Sequence, residues 1–474
     1  MVVIEDANGV NASLIHPSHL FDQLLVYWIY RAVVSAGIHV RALTVFQISN
    51  CFLSALAAAI FFRISARLFR STYVALVATA IFAFSATWWK FSADADAYIL
   101  AVLLLLVCFY FLLPDERPRP FLVAIAHAAA MLIHQLSLFF FPVALVGILM
   151  QTRGRPRKER ALALFKYGVT VTAATLVSYF ATFRMIFGSA SLSRFVSWIT
   201  YFSPEHGFTF SFWGNFVFSL RSQWRVSFGG RLAFIREFSN LWVYTLAFVA
   251  LALTITFLIV TFGRARELKA ALSAAATFPK RFRELTILCI VWIVPYVIFL
   301  FFFIPQNTFY RLLYLPAVVL LIGSFIAAAE SQLNHVRRFR AALFASAMFA
   351  ANLAFSQYPY SQARSNPPLQ LALKLDQAWP AGTTIYFAEF TSDNSLVKYF
   401  NPGTIWVSAT PEELRRQLSS RSNSDRAKWI DTTLMDRLQA TADGKQWLEA
   451  HAVTQPQYEL VNSKYRIRFV EVRP

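Results

Sequence analysis

Charged side chains are scarce: Asp, Glu, Lys and Arg make up 15% of the 474 residues, against about 25% in soluble domains. With a hydrophobic content of 57%, that scarcity excludes an ordinary water-soluble globule and puts most of the chain in a bilayer. Carboxylates are rarer still than cations, 25 Asp and Glu to 44 Lys and Arg, a net charge of +19. Such a surplus can serve nucleic acid, but here the basic residues cluster between apolar runs as in the loops of a membrane protein, so no nucleic-acid partner is expected. Cysteine is nearly absent. Cys51, Cys108 and Cys289 fall inside apolar segments, which suits small packing residues and indicates neither a disulfide framework nor a thiolate metal set. No HExxH or other zinc pattern occurs, and Pro17 between His16 and His19 disfavours one continuous helical face there. Residues 1–14 include Glu5 and Asp6 and lack the basic-then-apolar order of a cleavable signal, so insertion is expected from internal spans.

What is present is a series of apolar runs at 43–62, 72–89, 97–113, 164–187, 241–262, 285–304, 312–329 and 341–356. Each is near the length of about 20 residues that crosses a hydrocarbon core of ~30 Å. The run 121–150 would make about 45 Å of helix, too long for one crossing, and reads as a short hairpin turning at His134-Gln135. Sidedness agrees with that choice. The loops 63–70, 115–119, 153–166, 264–283 and 337–340 hold twenty Lys or Arg, and with a hairpin all five lie on one side, whereas a single crossing would put the 153–160 cluster on the other. The expected fold is a polytopic α-helical membrane protein of about ten transmembrane helices over residues 1–356, followed by a small soluble α/β domain over 357–474.

The opposite, outer side then receives residues 1–42, 90–96, the turn at His134, 188–240, 305–311 and the tail. Segment 19–36 is apolar with Asp22 and Arg31 embedded and reads as an interfacial helix in preference to a further span. In the tail, Pro359, Pro367 and Pro368 mark a linker, 383–390 and 404–408 read as strands, 411–419 as a helix, and 458–472 as a terminal hairpin or strand pair.

The outer segments carry the groups able to do chemistry. Asp94 and Asp96, two apart after Trp88-Trp89-Lys90, sit where a carboxylate near hydrocarbon is costly without a partner or a task. They form either a metal- or substrate-binding pair or a solvated acidic cap on the next helix. Glu5, Asp6, His16, His19 and Asp22 crowd the first outer segment, within reach of a carboxylate acting as general base on a hydroxyl, although capping or structural roles suit the two histidines better than metal binding. Arg311 stands where an outer loop enters a span; its guanidinium can fork onto a phosphate, or snorkel to lipid headgroups. Arg194, Arg221, Arg225, Arg231 and Arg236 alternate with Trp and Phe in the 188–240 loop, a composition for interfacial anchoring or for gripping an isoprenoid phosphate. His134 falls at the outer turn, while His127 reads as a hydrogen-bonded packing residue.

These pieces in this order resemble the GT-C superfamily of polytopic glycosyltransferases, the group that includes protein O-mannosyltransferases and aminoarabinose transferases. The similar features are His16-Pro17-Ser18-His19-Leu20 before an amphipathic helix, Gln47 to Asn50 in the next span, Trp89 to Tyr98 with its acidic pair, the His134-Gln135 turn, and Tyr310-Arg311-Leu312-Leu313-Tyr314-Leu315-Pro316. The resemblance covers roughly residues 1–356. It implies a catalytic carboxylate in the first outer loop, for which Asp6 is the best positional match and Glu5 the next. In that family a transmembrane helix precedes this loop, whereas no span precedes Glu5 here, so that helix is either encoded upstream of Met1 or absent. The resemblance further implies a polyprenyl-phosphate sugar donor, a lipid-phosphate contact at Arg311 with Tyr310 beside it, substrate contacts from His16, His19 and His134, and a divalent metal, Mg or Mn, at Asp94 and Asp96.

The expected protein is therefore a glycosyltransferase of the bacterial inner (plasma) membrane, embedded in the lipid bilayer, with its active site and C-terminal domain on the periplasmic side and an envelope glycan, lipid or protein as acceptor. Two other classes fit the composition. A lipid or solute transporter would place ionisable groups deep inside its spans, and the central runs contain almost none. A noncatalytic scaffold of an envelope-assembly complex would use the soluble tail to bind a partner.

Overall fold

The computed structural model describes residues 2–473 apart from 8, 11, 114–116, 189–190, 201–207, 231–240, 263–272, 274–275, 277, 331–337, 390, 420–426 and 462–465. Arg231, Arg236 and most of the basic 264–283 loop thus lie outside the described residues. The chain divides into two compact units, Val3–Pro359 and Tyr360–Pro474.

The first unit is helical. Short α1 (Val2–Asp6) and α2 (Asp22–Ser35) precede α3 (Ala42–Phe69), α4 (Thr72–Ala83), α5 (Ala86–Ser92), α6 (Tyr98–Phe111), α7 (Pro120–Ile133), α8 (Phe141–Gln151) and α9 (Arg157–Phe187). Then come α10 (Leu192–Ile199), α11 (Phe212–Ser227), α12 (Leu241–Phe262), α13 (Arg283–Phe302), α14 (Leu315–Glu330) and α15 (Arg338–Asn352). Among the described residues five helices are long and apolar enough to cross a membrane: Ala42–Phe69, Arg157–Phe187, Leu241–Thr261, Arg283–Phe302 and Phe339–Ser361. A sixth crossing arises if α4 and α5, bent by 71° at their junction, count together. The multi-pass class is as expected; the count of ten is not reached. The shortfall is one of length, since α6, α7 and α14, of 14 to 16 residues, extend only about 21 to 24 Å at 1.5 Å per residue.

The run 121–150 is interrupted at His134, where the sequence places a turn. His134 is extended at φ −149°, ψ 114°, and a 3₁₀ segment, Gln135–Phe140, leads into α8. Pro142 gives a reason: inside a continuous helix its ring would clash with the carbonyl four residues back, whereas in the first turn of α8 it costs nothing. His127, fully buried, pins the folded-back segment. Its Nε2 lies 2.8 Å from the Ser137 carbonyl and its Nδ1 2.8 Å from the Tyr167 hydroxyl, the packing role expected for it.

Phe61, Phe82, Trp88, Phe109, Phe140, Trp292 and Tyr296 fill the centre of this unit. Few polar side chains enter it, and those that do tie breaks together. Asn352 donates to the carbonyls of Phe84 and Ser227, both at 2.7 Å, and accepts from the Gly229 amide, joining the α4–α5 bend to the end of α11. At neighbouring Gly230 (φ +88°) a Cβ would meet the Phe355 carbonyl oxygen at 1.7 Å, so only glycine fits.

The second unit is a five-stranded sheet with helices, in the order β2-β1-β3-β5-β4. β1 (Thr384–Phe387) pairs in parallel with β2 (Ile405–Ser408) and β3 (Lys428–Asp431), while β5 (Arg466–Val472) runs antiparallel to β3 and to β4 (Ala452–Val461). The helix at Pro411–Ser419 and the terminal strand pair are the expected ones. β3 is not: four residues with Lys428 and Asp431 at its ends give no alternation to read, although all four are buried in the middle of the sheet.

Candidate active site

Four segments of the helical unit that the sequence assigns to the outer side converge: the loop before α2, the loop between α5 and α6, 305–314, and the His134 turn, each held by backbone or side-chain hydrogen bonds. The first is the loop before α2. His19 turns back to bond the His16 carbonyl through its amide, and the loop then docks on the His134 turn: Gln135 N–H donates to Ser18 O at 3.0 Å, Phe21 N–H to Leu132 O at 3.0 Å, and the Tyr179 hydroxyl to Pro17 O at 2.8 Å. That docking brings the His19 ring edge-on to His134, centroids 4.6 Å apart.

The second segment, between α5 and α6, is shaped by Asn50 from α3. Only 1% exposed, Asn50 donates from Nδ2 to the carbonyls of both Asp94 and Asp96 at 2.8 Å. Asp94 and Asp96 each accept the amide of the following residue, Ala95 and Ala97. The third segment, 305–314, is organised by Arg311, whose Nε, Nη1 and Nη2 donate to Asn307 O, the Tyr314 hydroxyl and Pro305 O at 3.1, 2.8 and 2.9 Å. Tyr314 passes its own proton to Gln223 Oε1 of α11 at 2.7 Å. With 2% of its surface exposed, Arg311 is thus a loop organiser with three of its five N–H donors in use.

Aromatic rings line the convergence. Tyr98 at the start of α6 lies 4.8 Å from His134, 5.2 Å from Phe309 and 5.9 Å from Tyr310, and His134 lies 5.7 Å from Tyr310. Tyr98 lies within the electrostatic influence of Tyr310, Asp96 and Asp22. Asp22, the first residue of α2, is 6% exposed, and no hydrogen bond or ion pair from the described residues reaches its carboxyl. Burial, and after it the charge of Asp96, raises Asp22 from the ordinary carboxylate range to about 7. Burial likewise pushes Asp96 up to about 7, with Asp94 adding to the rise while the Ala97 amide and Lys90 oppose it.

The histidines go the other way. Burial lowers His19 to about 4 and takes His134 well below its ordinary value, with the neighbouring His19 adding to the effect, so both rings are neutral at physiological pH. His134 Nδ1 accepts the Leu136 amide at 3.2 Å, which puts the ring proton on Nε2, and Nε2 is buried with no hydrogen-bond partner among the described residues.

Of the side chains singled out from the sequence, His19, His134, Tyr310 and Asp96 gather here. Asp94 shapes the same loop, Arg311 organises the adjoining one, and His16 is exposed, 6.2 Å ring to ring from His19. Glu5 is placed differently from these. Expected as a second choice of base, it receives Arg41 Nε on both oxygens at 3.0 Å and Nη2 at 2.9 Å, and it caps α3 by accepting the Ala42 amide at 2.7 Å. Its charge is felt by Tyr30, eight residues along α2 from Asp22 and so about 12 Å down the helix. Asp6 beside it is exposed. Asp22, grouped from the sequence with Glu5, Asp6, His16 and His19 but not chosen as the base, is the one of the five that the fold buries; as an acid embedded in the apolar 19–36 segment it is explained equally well by an interfacial helix. Among the described residues no three His, Cys, Asp or Glu side chains gather so as to hold a metal ion.

Two solved structures share this architecture over nearly the whole chain. ArnT from Cupriavidus metallidurans in the apo state superposes with a TM-score of 0.57 at 10% identity, covering 99% of this chain and 91% of that one. The crystal structure of the same ArnT bound to undecaprenyl phosphate gives a TM-score of 0.55 at 11% identity over 95% and 87%. No known family model matches the sequence, and no curated protein does. The fold is therefore like that of ArnT, one of the aminoarabinose transferases among which the sequence resemblance falls. At this identity the likeness is one of fold.

Proposed function

We propose that this protein is a bacterial inner-membrane glycosyltransferase that moves a sugar from a polyprenyl-phosphate carrier to a hydroxyl of an envelope acceptor on the outer face. The observation that carries the reading is the Asp22 carboxyl, buried and without a hydrogen-bonding partner among the described residues beside Asp96, at the meeting of outer segments in an ArnT-like fold. A like-charged pair removed from water is costly to hold, and such an arrangement is characteristic of sites where a proton is to be moved. Undecaprenyl phosphate in the ArnT structure supports a lipid-phosphate carrier here.

In this reading Asp22 is the general base, in place of Asp6. It takes the proton of the acceptor hydroxyl as that oxygen bonds to the anomeric carbon, while the bond from that carbon to the phosphate oxygen breaks and its electron pair leaves with the lipid phosphate. One displacement inverts the anomeric centre. A base held near 7 by its surroundings matches a reaction run near neutrality better than an ordinary carboxylate does. Arg311, with two N–H donors left, supplies fixed positive charge near the departing phosphate, and Tyr310 and His19 border the sugar.

The test is transfer of labelled sugar from polyprenyl-phosphate donors by the full chain reconstituted in lipid vesicles, beside Asp22→Asn. Transfer by the wild type that disappears in the folded variant is the expected result. A folded wild type that neither transfers sugar nor binds undecaprenyl phosphate would sink the reading.

A further inference from the structure

The His134 ring is the one buried aromatic heterocycle at the outer convergence whose outward nitrogen has nothing to bond among the described residues. Its Nδ1 is held by the Leu136 amide, and its backbone is held as well, the amide donating to Ala130 O at 2.8 Å and the carbonyl accepting Ser137 N–H at 2.9 Å. The ring is walled by His19, Tyr98 and Tyr310 at 4.6 to 5.7 Å. A buried donor left unmade costs about 1 to 3 kcal/mol, and a turn this well fixed has no freedom to relieve that cost by rotating away. A donor so preorganised is worth most when a ligand oxygen arrives.

We infer that His134 acts on substrate as a neutral imidazole, giving its Nε2–H to an oxygen of the glycosyl phosphate and exchanging no proton. The inference rests on the glycosyl-transfer reading and assigns within it a division of labour: proton transfer belongs to the carboxyls, and His134 positions the phosphate through one hydrogen bond. Around it, the titratable groups are His19 from the loop before α2, Asp22 at the start of α2, Asp96 before α6, Tyr98 on α6 and Tyr310 in the 305–314 loop. None of them offers His134 an ion pair that would hold the imidazolium, and burial and His19 both disfavour that charge. Two neutral imidazoles edge to face also escape the repulsion that two cations would suffer at 4.6 Å.

Solid-state NMR of the full chain in lipid vesicles, with ¹⁵N-labelled histidine and the His134 signals assigned by their loss in His134→Gln, reads the tautomer directly. His134 should remain a single neutral Nε2–H tautomer from about pH 8 down to about pH 5, where an ordinary histidine titrates, and its Nε2 resonance should move when undecaprenyl phosphate is added. Titration inside that window, the Nδ1–H tautomer, or an unmoved Nε2 in protein saturated with undecaprenyl phosphate would each overturn the inference. In the transfer assay, His134→Gln, which carries an N–H near the Nε2 position, should keep activity within about tenfold and leave the pH profile unchanged, while His134→Leu should lose about 10²- to 10³-fold in kcat. Equal activity of the leucine variant, or loss of a pH limb in the glutamine variant, would count against it. Failure of the glycosyl-transfer reading itself looks different: undecaprenyl phosphate then does not bind wild type at all, which removes the phosphate assignment while the tautomer measurement still decides the state of the ring.

Discussion

Asp22 and Asp431 are the same residue type at the start of a helix, 6% and 2% exposed, and they lead opposite lives. Asp431, at the end of β3, accepts the Leu434 amide at 3.0 Å, the Thr433 hydroxyl at 2.8 and 3.0 Å, and Asn394 Nδ2 at 3.1 Å. Thr433 in turn accepts the amides of Ala388 and Glu389, so the carboxylate fastens the exit of β1 to β3. Burial pushes the Asp431 carboxyl upward, and those bonds pull it back. Asp22 has no such partner among the described residues and has Asp96 for a neighbour. In the proposed reading, what separates the structural Asp431 from the base Asp22 is thus the inventory of partners, with burial common to both.

The largest expected effect follows from removing the carboxylate that has no bond to lose. Asp22→Asn should lower transfer by about 10²- to 10⁴-fold without lowering the thermal midpoint. The pH dependence of its stability has a definite sign. The folded carboxyl titrates near 7, above its value in the unfolded chain, so between about pH 4 and pH 7 the native state holds a proton that the unfolded state releases, and stability falls as pH rises. Asp22→Asn should therefore gain most over wild type at pH 7 and above, and nothing near pH 4. A midpoint that drops in the variant at all pH values would make Asp22 a structural residue and erase the contrast with Asp431.

Asp431→Ala is the converse. It leaves the Asn394 amide and the Leu434 N–H without an acceptor, and urea unfolding of the C-terminal domain should show a loss of about 2 to 4 kcal/mol. Transfer per folded molecule should stay near wild type in the same preparation.

Part of this was open to inspection in the linear chain. The helix at Pro411–Ser419 and the terminal strand pair follow from local signals, a Pro with two Glu at a helix start and alternation, and the break at His134 from a run too long for one crossing and from the side on which the basic loops fall. Two short apolar helices, α6 and α14, were read as full spans because hydropathy does not record where a helix bends or stops. The site was legible as a set of segments, and His19, His134, Tyr310 and Asp96 came from those segments. The base did not. Asp6 was favoured by chain order after an expected helix, whereas having no partner is a property of three-dimensional surroundings: Arg41, thirty-six residues on, takes Glu5 out of play, and Asp96, seventy-four residues on, sets the field at Asp22.

A sharper version of the comparison uses the neighbour. If Asp22 is the base, transfer should fall as pH drops through about 7, not near 4, because the protonated carboxyl cannot take the hydroxyl proton. Asp96→Asn removes the like charge that raises Asp22, so in whatever activity remains the acidic limb should move to lower pH, by a fraction of the full shift because burial is the larger cause. An unmoved limb would mean that the two carboxyls do not sense each other, and that the limb belongs to another group.

The smallest effect is expected where chain order pointed first. Glu5→Gln keeps the shape of the side chain and one acceptor for the Ala42 amide but removes the charge that holds Arg41. Since Arg41 is more than a third exposed, the change should cost about 1 kcal/mol or less. Asp6→Asn should cost less still. Both variants should transfer sugar within about threefold of wild type, because neither carboxyl carries the proton and a surface substitution away from the site changes little. A hundredfold loss in Asp6→Asn with the thermal midpoint intact would reverse the assignment, returning the base to the first outer loop and leaving the buried pair at Asp22 and Asp96 to be explained as an electrostatic brace for the substrate phosphate's counter-charges.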